Sequence, residues 1–342
     1  MPPRLSFCIP NLDMAPYLER CIESCLDQRS APCELEVVVV DNRSNDDSVA
    51  IVERLARRDR RVRLSVNDVR LSMAANWNRS VELARGEYVC LVCADDAQEP
   101  NFAATLVPLL ADDEGLVYAF GERHDIDLED RKLATHRFYL GAARIPGLAE
   151  AEVAIASNHA VMNQLLVRRE HWLAAGGSDE RFDWAHDIRL KLELLLRGDV
   201  AYVPEPVCRY RQNPGASSSR MLASKLGVME IHRARLDFLA GLPPRAAHLR
   251  ARLPALEASH ARLALRHGLT LLASEHPGAR TIAEQYLHLA LAFDLGARAT
   301  PLFARLEAAL TGRPAPAAPV GTTVGPPYPL PAGAVPLVRA VA

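Results

Sequence analysis

The sequence predicts an α/β protein: a mostly parallel sheet flanked by helices on both faces, followed by an all-helical C-terminal region. Three observations lead there. Over the first two hundred residues, short apolar runs alternate with amphipathic segments across short links, the pattern of strand–helix–strand units. Polar residues close the strand-like runs: Asn11 after the first, Asp41 at the end of the second, Asp95 and Asp96 after the fourth. Beyond about residue 219 the strand-like runs give way to helical periodicity alone.

Leu5–Pro10 is a short apolar run, and residues 15–28 carry the helical stripe Tyr17, Leu18, Cys21, Ile22, Cys25, Leu26. Leu35–Asp41 is almost wholly β-branched and ends in an acid. Residues 46–58 read as an amphipathic helix with Asp46 and Asp47 near its positive end. Arg61–Val66 reads as a strand, 72–85 as a helix, Glu87–Ala94 as a strand, 100–111 as a helix and Leu116–Gly121 as a strand. Residues 122–160 are irregular and polar. Gln164–Arg168 is strand-like, Arg169–Ala175 a short helix, 186–197 a helix, and Val200–Pro204 and Val207–Arg211 two strand-like runs. Helices are predicted at roughly 219–240, 246–272, 280–293 and 301–311. Residues 313–342, rich in Pro, Gly, Ala and Val, predict a mostly unfolded tail. The expected domains are therefore 1–219, 220–312 and 313–342.

Composition narrows the function. The chain has 342 residues, 49% hydrophobic and 24% charged, the balance of a globular protein rather than a disordered one. Forty bases against 42 acids give a net charge of −2, which argues against a dedicated nucleic-acid binder. Seven cysteines, odd in number and set among apolar residues, predict free thiols in a reducing cytosol; Cys21 and Cys25, one turn apart, read as core. No signal-peptide pattern opens the chain, and no run of about 18 apolar residues occurs, so the expectation is a cytoplasmic protein. A P-loop, a G-x-G-x-x-G after the first strand and a G-x-S-x-G elbow are all missing, which weakens NTPase, dinucleotide oxidoreductase and hydrolase readings.

Chemistry concentrates at Asp95-Asp96, two adjacent carboxylates past a buried strand (CLVCADD). Neighbouring acids repel unless a cation or hydrogen bonds compensate, and a divalent ion shared with a diphosphate would do so. Four blocks in order give the pair its context. They are Ser6–Asn11 with Tyr17-Leu18 and Cys21–Ser24, and Glu36–Asp41 with Ser44, Asn45, Asp46 and Ser48. Next come Asn78, Ala84–Tyr88 and Asp95-Asp96. The last holds Phe182, His186-Asp187, Arg189-Leu190, Gly198, Val203-Pro204 and Tyr210-Arg211. Over roughly residues 4–219 this series resembles the inverting family 2 glycosyltransferases of the GT-A-like (Rossmann-like) fold.

That resemblance implies a transfer of one sugar from a nucleotide-diphosphate donor, UDP-linked first among the carriers, to an acceptor hydroxyl with inversion. It implies that Pro10, Asn11 and Asp41 surround the nucleotide base, with Asn76 or Asn78 assisting, and that Asp13 also belongs to the nucleotide-sugar site. Asp95 would lie near the ribose, and Asp96 would bind Mg²⁺ or Mn²⁺ across the diphosphate. Asp187 would be the catalytic base, with Trp184, His186 and Arg211 toward the acceptor or diphosphate. Departures from the family pattern are Cys93 at the first acid of a D-x-D-D run, Asn11 for Thr, Asp13 for Asn and His186 for Glu. Asn213 stands where relatives often place a His that reaches the metal, and its amide is a weaker ligand. Asn158 and His159 fall in the expected acceptor region. The implied partners are the nucleotide-sugar donor and a saccharide or lipid-linked acceptor, as in bacterial surface-polysaccharide synthesis, with no nucleic acid. The C-terminal helices are open to homodimerisation or to peripheral association with the inner membrane face. The rival reading is a non-catalytic nucleotide-sugar or glycan-binding scaffold of the same fold.

Overall fold

The valine run of Glu34–Asp41 (ELEVVVVD) has no polar face to offer water, and strand β2, which it forms, is buried from Glu36 onward. A strand of that kind needs cover on both sides. The computed structural model describes residues 4–157, 160–213, 224–274, 276–313 and 329–337. In it β2 pairs in parallel with β1 (Arg4–Asn11) on one side and with β3 (Val62–Val66) on the other. β1 also pairs in parallel with β4 (Tyr88–Leu91). Helices α1 (Ala15–Leu26), α2 (Ser48–Arg58) and α3 (Met73–Glu82) link these strands, and α4 (Phe102–Asp112) follows β4. The predicted stripe of α1 is buried at Leu18, Cys21, Ile22 and Cys25 and joins Leu5, Phe7, Ile9, Val37, Val39, Phe102 and Leu106 in one core. Burying each of the larger of these side chains contributes about 1.5–3 kcal/mol over leaving it in water.

The sheet continues past β4 through β9 (Leu165–Arg168) to β6 (Leu116–Ile126), β10 (Asp199–Arg211), β8 (Ala143–Ile145) and β11 (Val335–Pro336). β10 is parallel to β6, whereas β9 runs antiparallel between β4 and β6, so the sheet is mixed but mostly parallel. Short β5 (Ala97–Gln98) and β7 (Lys132–His136) add antiparallel pairs to β10 and β6. Helices α5 (Gly147–Ala156), α6 (Arg169–Ala174) and α7 (His186–Leu195) complete this part of the chain.

Three elements differ from the sequence expectation. The segment 122–160, expected to be irregular, holds the end of β6, β7, β8 and α5; β7 is exposed or half-buried throughout and lacks the apolar alternation that announces a strand. The runs Val200–Pro204 and Val207–Arg211 are one strand with register shifts between Val203 and Cys208, where Pro204 and Pro206 donate no N–H. A Cβ on Gly121 would stand 2.6 Å from the Glu205 carbonyl oxygen, so only glycine admits the bulge this closely. Within 313–342, expected to be unfolded, β11 pairs antiparallel with β8; residues 314–328 and 338–342 lie outside the described residues.

The described residues form two compact units, 4–151 with 160–213 and 329–337, and 152–157 with 224–274 and 276–313. The second is helical: α8 (Leu226–Ala240), α9 (Leu253–Leu272), α10 (Ala279–Phe293) and α11 (Pro301–Thr311). Its core gathers Val228, Ala261, Leu265, Tyr286, Phe303 and Leu306. The helix expected over 246–272 starts as a 3-10 turn at Pro244–Arg252 and becomes α-helical at Leu253, with Pro254 in the first turn, where a missing N–H is harmless. No helix among the described residues is long and apolar enough to cross a membrane.

A buried polar chain crosses this helical unit. An Arg235 Nη lies 2.7 Å from His260 Nε2, and His260 Nδ1 lies 2.7 Å from His232 Nδ1. Arginine only donates, so His260 Nε2 accepts and His260 is neutral, with its proton on Nδ1. Burial, then Arg235 and His232, hold the His260 imidazole down to about 2. A depressed histidine favours the fold above the unfolded value near 6.5 and loses that advantage as pH falls toward the folded value. Stability is expected to drop by about 1.4 kcal/mol per pH unit below about pH 6.5 from this group. Urea unfolding at pH 7, 6 and 5 checks it: His260→Leu should flatten the slope, and a slope equal to wild type would contradict the assignment.

Candidate active site

The chain order β1, β2, β3 advances one way across the sheet, and β4 returns to the other side of β1. Such a reversal opens a crevice beyond the carboxyl ends of the two strands, the usual place for a ligand of an open α/β sheet. Asn11 ends β1 and Asp41 ends β2, in register with each other; Asp95 and Asp96 follow β4.

The loops after β1 and β2 are tied together by their own side chains. Asn11 Nδ2 donates to Asp41 Oδ2 at 2.8 Å and to Ser44 Oγ at 3.1 Å, while Asp41 also accepts from the Ser44 amide and hydroxyl. Asp13, with φ 53°, accepts from the Asn45 amide at 2.7 Å. Asp41 is 1% exposed and both its oxygens are engaged in shaping this turn. Asn11 Oδ1 is buried and has no partner among the described residues. Pro10, beside it, is half-buried.

The two α3 amides predicted to help the nucleotide are also engaged. Asn76 Oδ1 accepts from Asn67 Nδ2 at 2.8 Å, and Asn76 Nδ2 donates to the Val40 carbonyl. Asn78 exchanges hydrogen bonds with the backbone of Ser178, and a Cβ on Gly177 (φ 69°) would stand 2.4 Å from its Oδ1. Asn78 thus clamps the turn ahead of α7. Asn76 is thus engaged by a side chain and a carbonyl and Asn78 by the Ser178 backbone, so both amides first serve the packing of α3 against its neighbours.

At β4 the two acids part company. Asp96, 3% exposed, accepts from the Arg211 amide at 2.8 Å and from Asn163 Nδ2 at 3.0 Å. Burial first, and the Asp95 charge second, push its carboxyl well above the usual range. Asp95 is half-buried; its carboxylate receives one long bond, 3.4 Å, from Asn213 Nδ2, and burial raises it too. Arg211 is engaged by the protein. Its guanidinium donates to the carbonyls of Asp95 and Asp127, pairs with Asp130 and lies 4.9 Å over the Tyr17 ring, leaving the side chain 1% exposed. Arg209 is held by both oxygens of Glu99.

Asp187 sits in the first turn of α7, where the helix dipole favours a negative charge. Its Oδ2 lies 3.0 Å from Lys191 Nζ. Burial pushes this carboxyl up; the Lys191 ammonium, His186 and the hydrogen bonds from Lys191 and its own amide together outweigh it and hold Asp187 below the ordinary value. His186 is buried, with its ring edge-on to Trp77 at 4.4 Å. Trp184 is half-buried. Burial, then the charges of Asp96 and Asp95, with Cys21 and Asp187 also contributing, push the Cys93 thiol up. One sulfur thus feels carboxylates from the end of β4 and the start of α7. Asn158 and His159 lie outside the described residues.

Sequence reasoning missed Asn163, Trp77 and Lys191. Nothing in a lone Asn before a strand announces that it holds Asp96. Lys191 had a signal: it is one turn beyond Asp187 and one of three lysines among 40 bases.

The glycosyl transferase family 2 model matches residues 6–167. Protein MT1568 of Mycobacterium tuberculosis is 31% identical over 242 residues, covering 68% of this chain and 74% of that protein. Hyaluronan synthase of Pasteurella multocida is 23% identical over 228 residues; the match takes in 67% of this chain but 22% of that much longer enzyme. Among solved structures, S. aureus TarS 1–349 in complex with UDP-GlcNAc aligns with a TM-score of 0.65 at 16% identity, over 90% of this chain and 87% of that one. The chain belongs to glycosyltransferase family 2, on a GT-A-like fold, and is a glycosyltransferase.

The Arg211 geometry makes a stability prediction. Removing this buried guanidinium takes a donor from the Asp95 and Asp127 carbonyls and leaves Asp130 to Arg20 alone, so Arg211→Ala should cost about 1–3 kcal/mol in urea unfolding. Unchanged stability with a selective loss of nucleotide affinity would return Arg211 to the diphosphate.

Proposed function

We propose that this glycosyltransferase moves one sugar from a UDP-linked donor to a hydroxyl of a saccharide or lipid-linked acceptor, with inversion at the anomeric carbon. The observation that carries the reading is the Asp95-Asp96 pair just past β4, at the carboxyl edge where the strand order reverses about β1; that Asp187 joins the two acids in pushing the Cys93 thiol up supports placing α7's first turn toward the same edge. Asp187 is the base. It is ionised near neutrality, at the open end of a helix, and takes the proton of the acceptor hydroxyl. The acceptor oxygen then bonds to the anomeric carbon as the carbon–oxygen bond to the diphosphate breaks. A single carboxylate suffices for this one displacement.

Between the two acids, Asp95 suits a cation better than Asp96. Both Asp96 oxygens already accept from the protein, whereas Asp95 has one long bond and more access to solvent. Two adjacent carboxylates raised by burial, with Arg211 committed elsewhere, fit a divalent ion. Among the described residues no group of three or more His, Cys, Asp or Glu gathers around a point, so most ligands would come from diphosphate and water, in the manner of Mg²⁺ or Mn²⁺. Bound by Asp95 with the Asn213 amide alongside, such an ion would neutralise the charge growing on the leaving diphosphate. Asp96 then fixes the loop that presents Asp95. UDP as carrier draws on the UDP-GlcNAc complex of TarS, and the saccharide acceptor on the synthase relatives.

Asp187→Asn should lower transfer by about 10²–10⁴-fold while calorimetry shows UDP binding as wild type. Activity at the wild-type level, or equal loss of binding, would refute the base. Asp95→Asn should abolish the Mn²⁺-dependent gain in UDP affinity without altering Tm, whereas Asp96→Asn should lower Tm as well. A Mn²⁺ gain that survives Asp95→Asn would reject the assignment.

A further inference from the structure

Lys191 stands apart from the arginines that make up nearly all the other bases of this chain. It lies four residues beyond Asp187, on the same face of α7, in the favourable acid-before-base order. Its Nζ is 3.0 Å from Asp187 Oδ2 and donates to the Ala160 carbonyl, also at 3.0 Å. The lysine side chain is 12% exposed and the aspartate side chain 21%. An exposed pair of this spacing would contribute little, but a pair largely withdrawn from water acts strongly on both partners.

α7 has a further i,i+4 pair, Arg189 with Glu193, and Glu193 also pairs with Arg197 just past the helix, so Lys191 is not needed as its one intrahelical ion pair. Helix support therefore does not account for an ammonium fixed at two points, one of them the oxygen of the proposed base. The groups around Asp187 are Lys191 and His186 on α7 and the Cys93 thiol at the end of β4; α3 presents the Trp77 ring to His186.

We propose that Lys191 is a positioning residue for transfer: it holds Asp187 Oδ2, leaves Oδ1 as the atom that takes the acceptor proton, and keeps the carboxylate ionised. The proposal rests on Asp187 being the base. During the reaction the acceptor proton passes to Asp187 Oδ1, the acceptor oxygen–carbon bond forms, and the departing electron pair stays on the diphosphate. Lys191 remains protonated throughout and gives up nothing. Its anchor on Ala160 fixes the ammonium, so its field at Asp187 does not depend on the substrate.

An opposite charge this close moves a carboxyl by about 1–3 pH units, so removing it raises the pH at which Asp187 ionises. The test is a carboxyl-¹³C NMR titration of the full chain labelled at aspartate, with the Asp187 resonance identified by its loss in Asp187→Asn. Lys191→Met should raise the Asp187 midpoint by about one pH unit or more, and Lys191→Arg should stay close to wild type. Lys191→Gln serves the same comparison if the Met variant fails to fold. The acid limb of UDP release from UDP-GlcNAc should move upward with the midpoint. An unmoved midpoint overturns the proposal, and so does a moved midpoint with an unmoved acid limb. If Asp187→Asn abolishes transfer while either result holds, the base stands and Lys191 alone is refuted; if Asp187→Asn transfers normally, both fall.

Discussion

The carboxylate of Asp96 joins segments that meet through it. It follows β4, accepts from the amide of Arg211 at the end of β10, and accepts from Asn163 on the turn before β9. A buried carboxylate is tolerable only when its oxygens are satisfied, so breaking either bond leaves a costly group behind. With both in place, Arg211 is held where its guanidinium reaches the Asp95 carbonyl, and the Asp95 side chain is presented at the crevice. The placement of Asp95 thus depends on a neighbouring acid whose own oxygens are taken up by the protein.

The same division of labour runs through the rest of this unit. Asp41, Asn76 and Asn78 carry side chains that a nucleotide could use, yet the fold uses them to fasten the loops after β1 and β2 and the turn before α7. Loops at a sheet's carboxyl edge have few backbone partners of their own, and short amides and acids supply them. Among the described residues at this edge, Asp95, the Asn11 side-chain Oδ1 and Asp187 are less committed to the loops. An economical site of this kind suits a reaction in which the leaving group, rather than the protein, brings most of the charge.

Much of the fold was legible because burial leaves a periodic trace. The valines of β2, the stripe of α1 and the unbroken apolar run of β4 have no other arrangement that removes them from water. β7, β8 and β11 left no such trace, since they are exposed or too short for a period to register. The site was legible only in residue type. The Asp95-Asp96 pair was visible, but which of the two is open was not, because that turns on hydrogen bonds from residues 163 and 211. The roles of Arg211 and His186 could not be read either, since an arginine on a phosphate and an arginine over a tyrosine look alike in a sequence.

The sequence by itself determined that a mostly parallel sheet would carry acids and amides on its carboxyl edge, because hydrophobic periodicity and strand-end polarity are local properties of the chain. Tertiary structure alone decided which of those groups remain available. Availability depends on donors brought from tens of residues away, and only their arrival separates a carboxylate that holds the loop from one that is free to do chemistry.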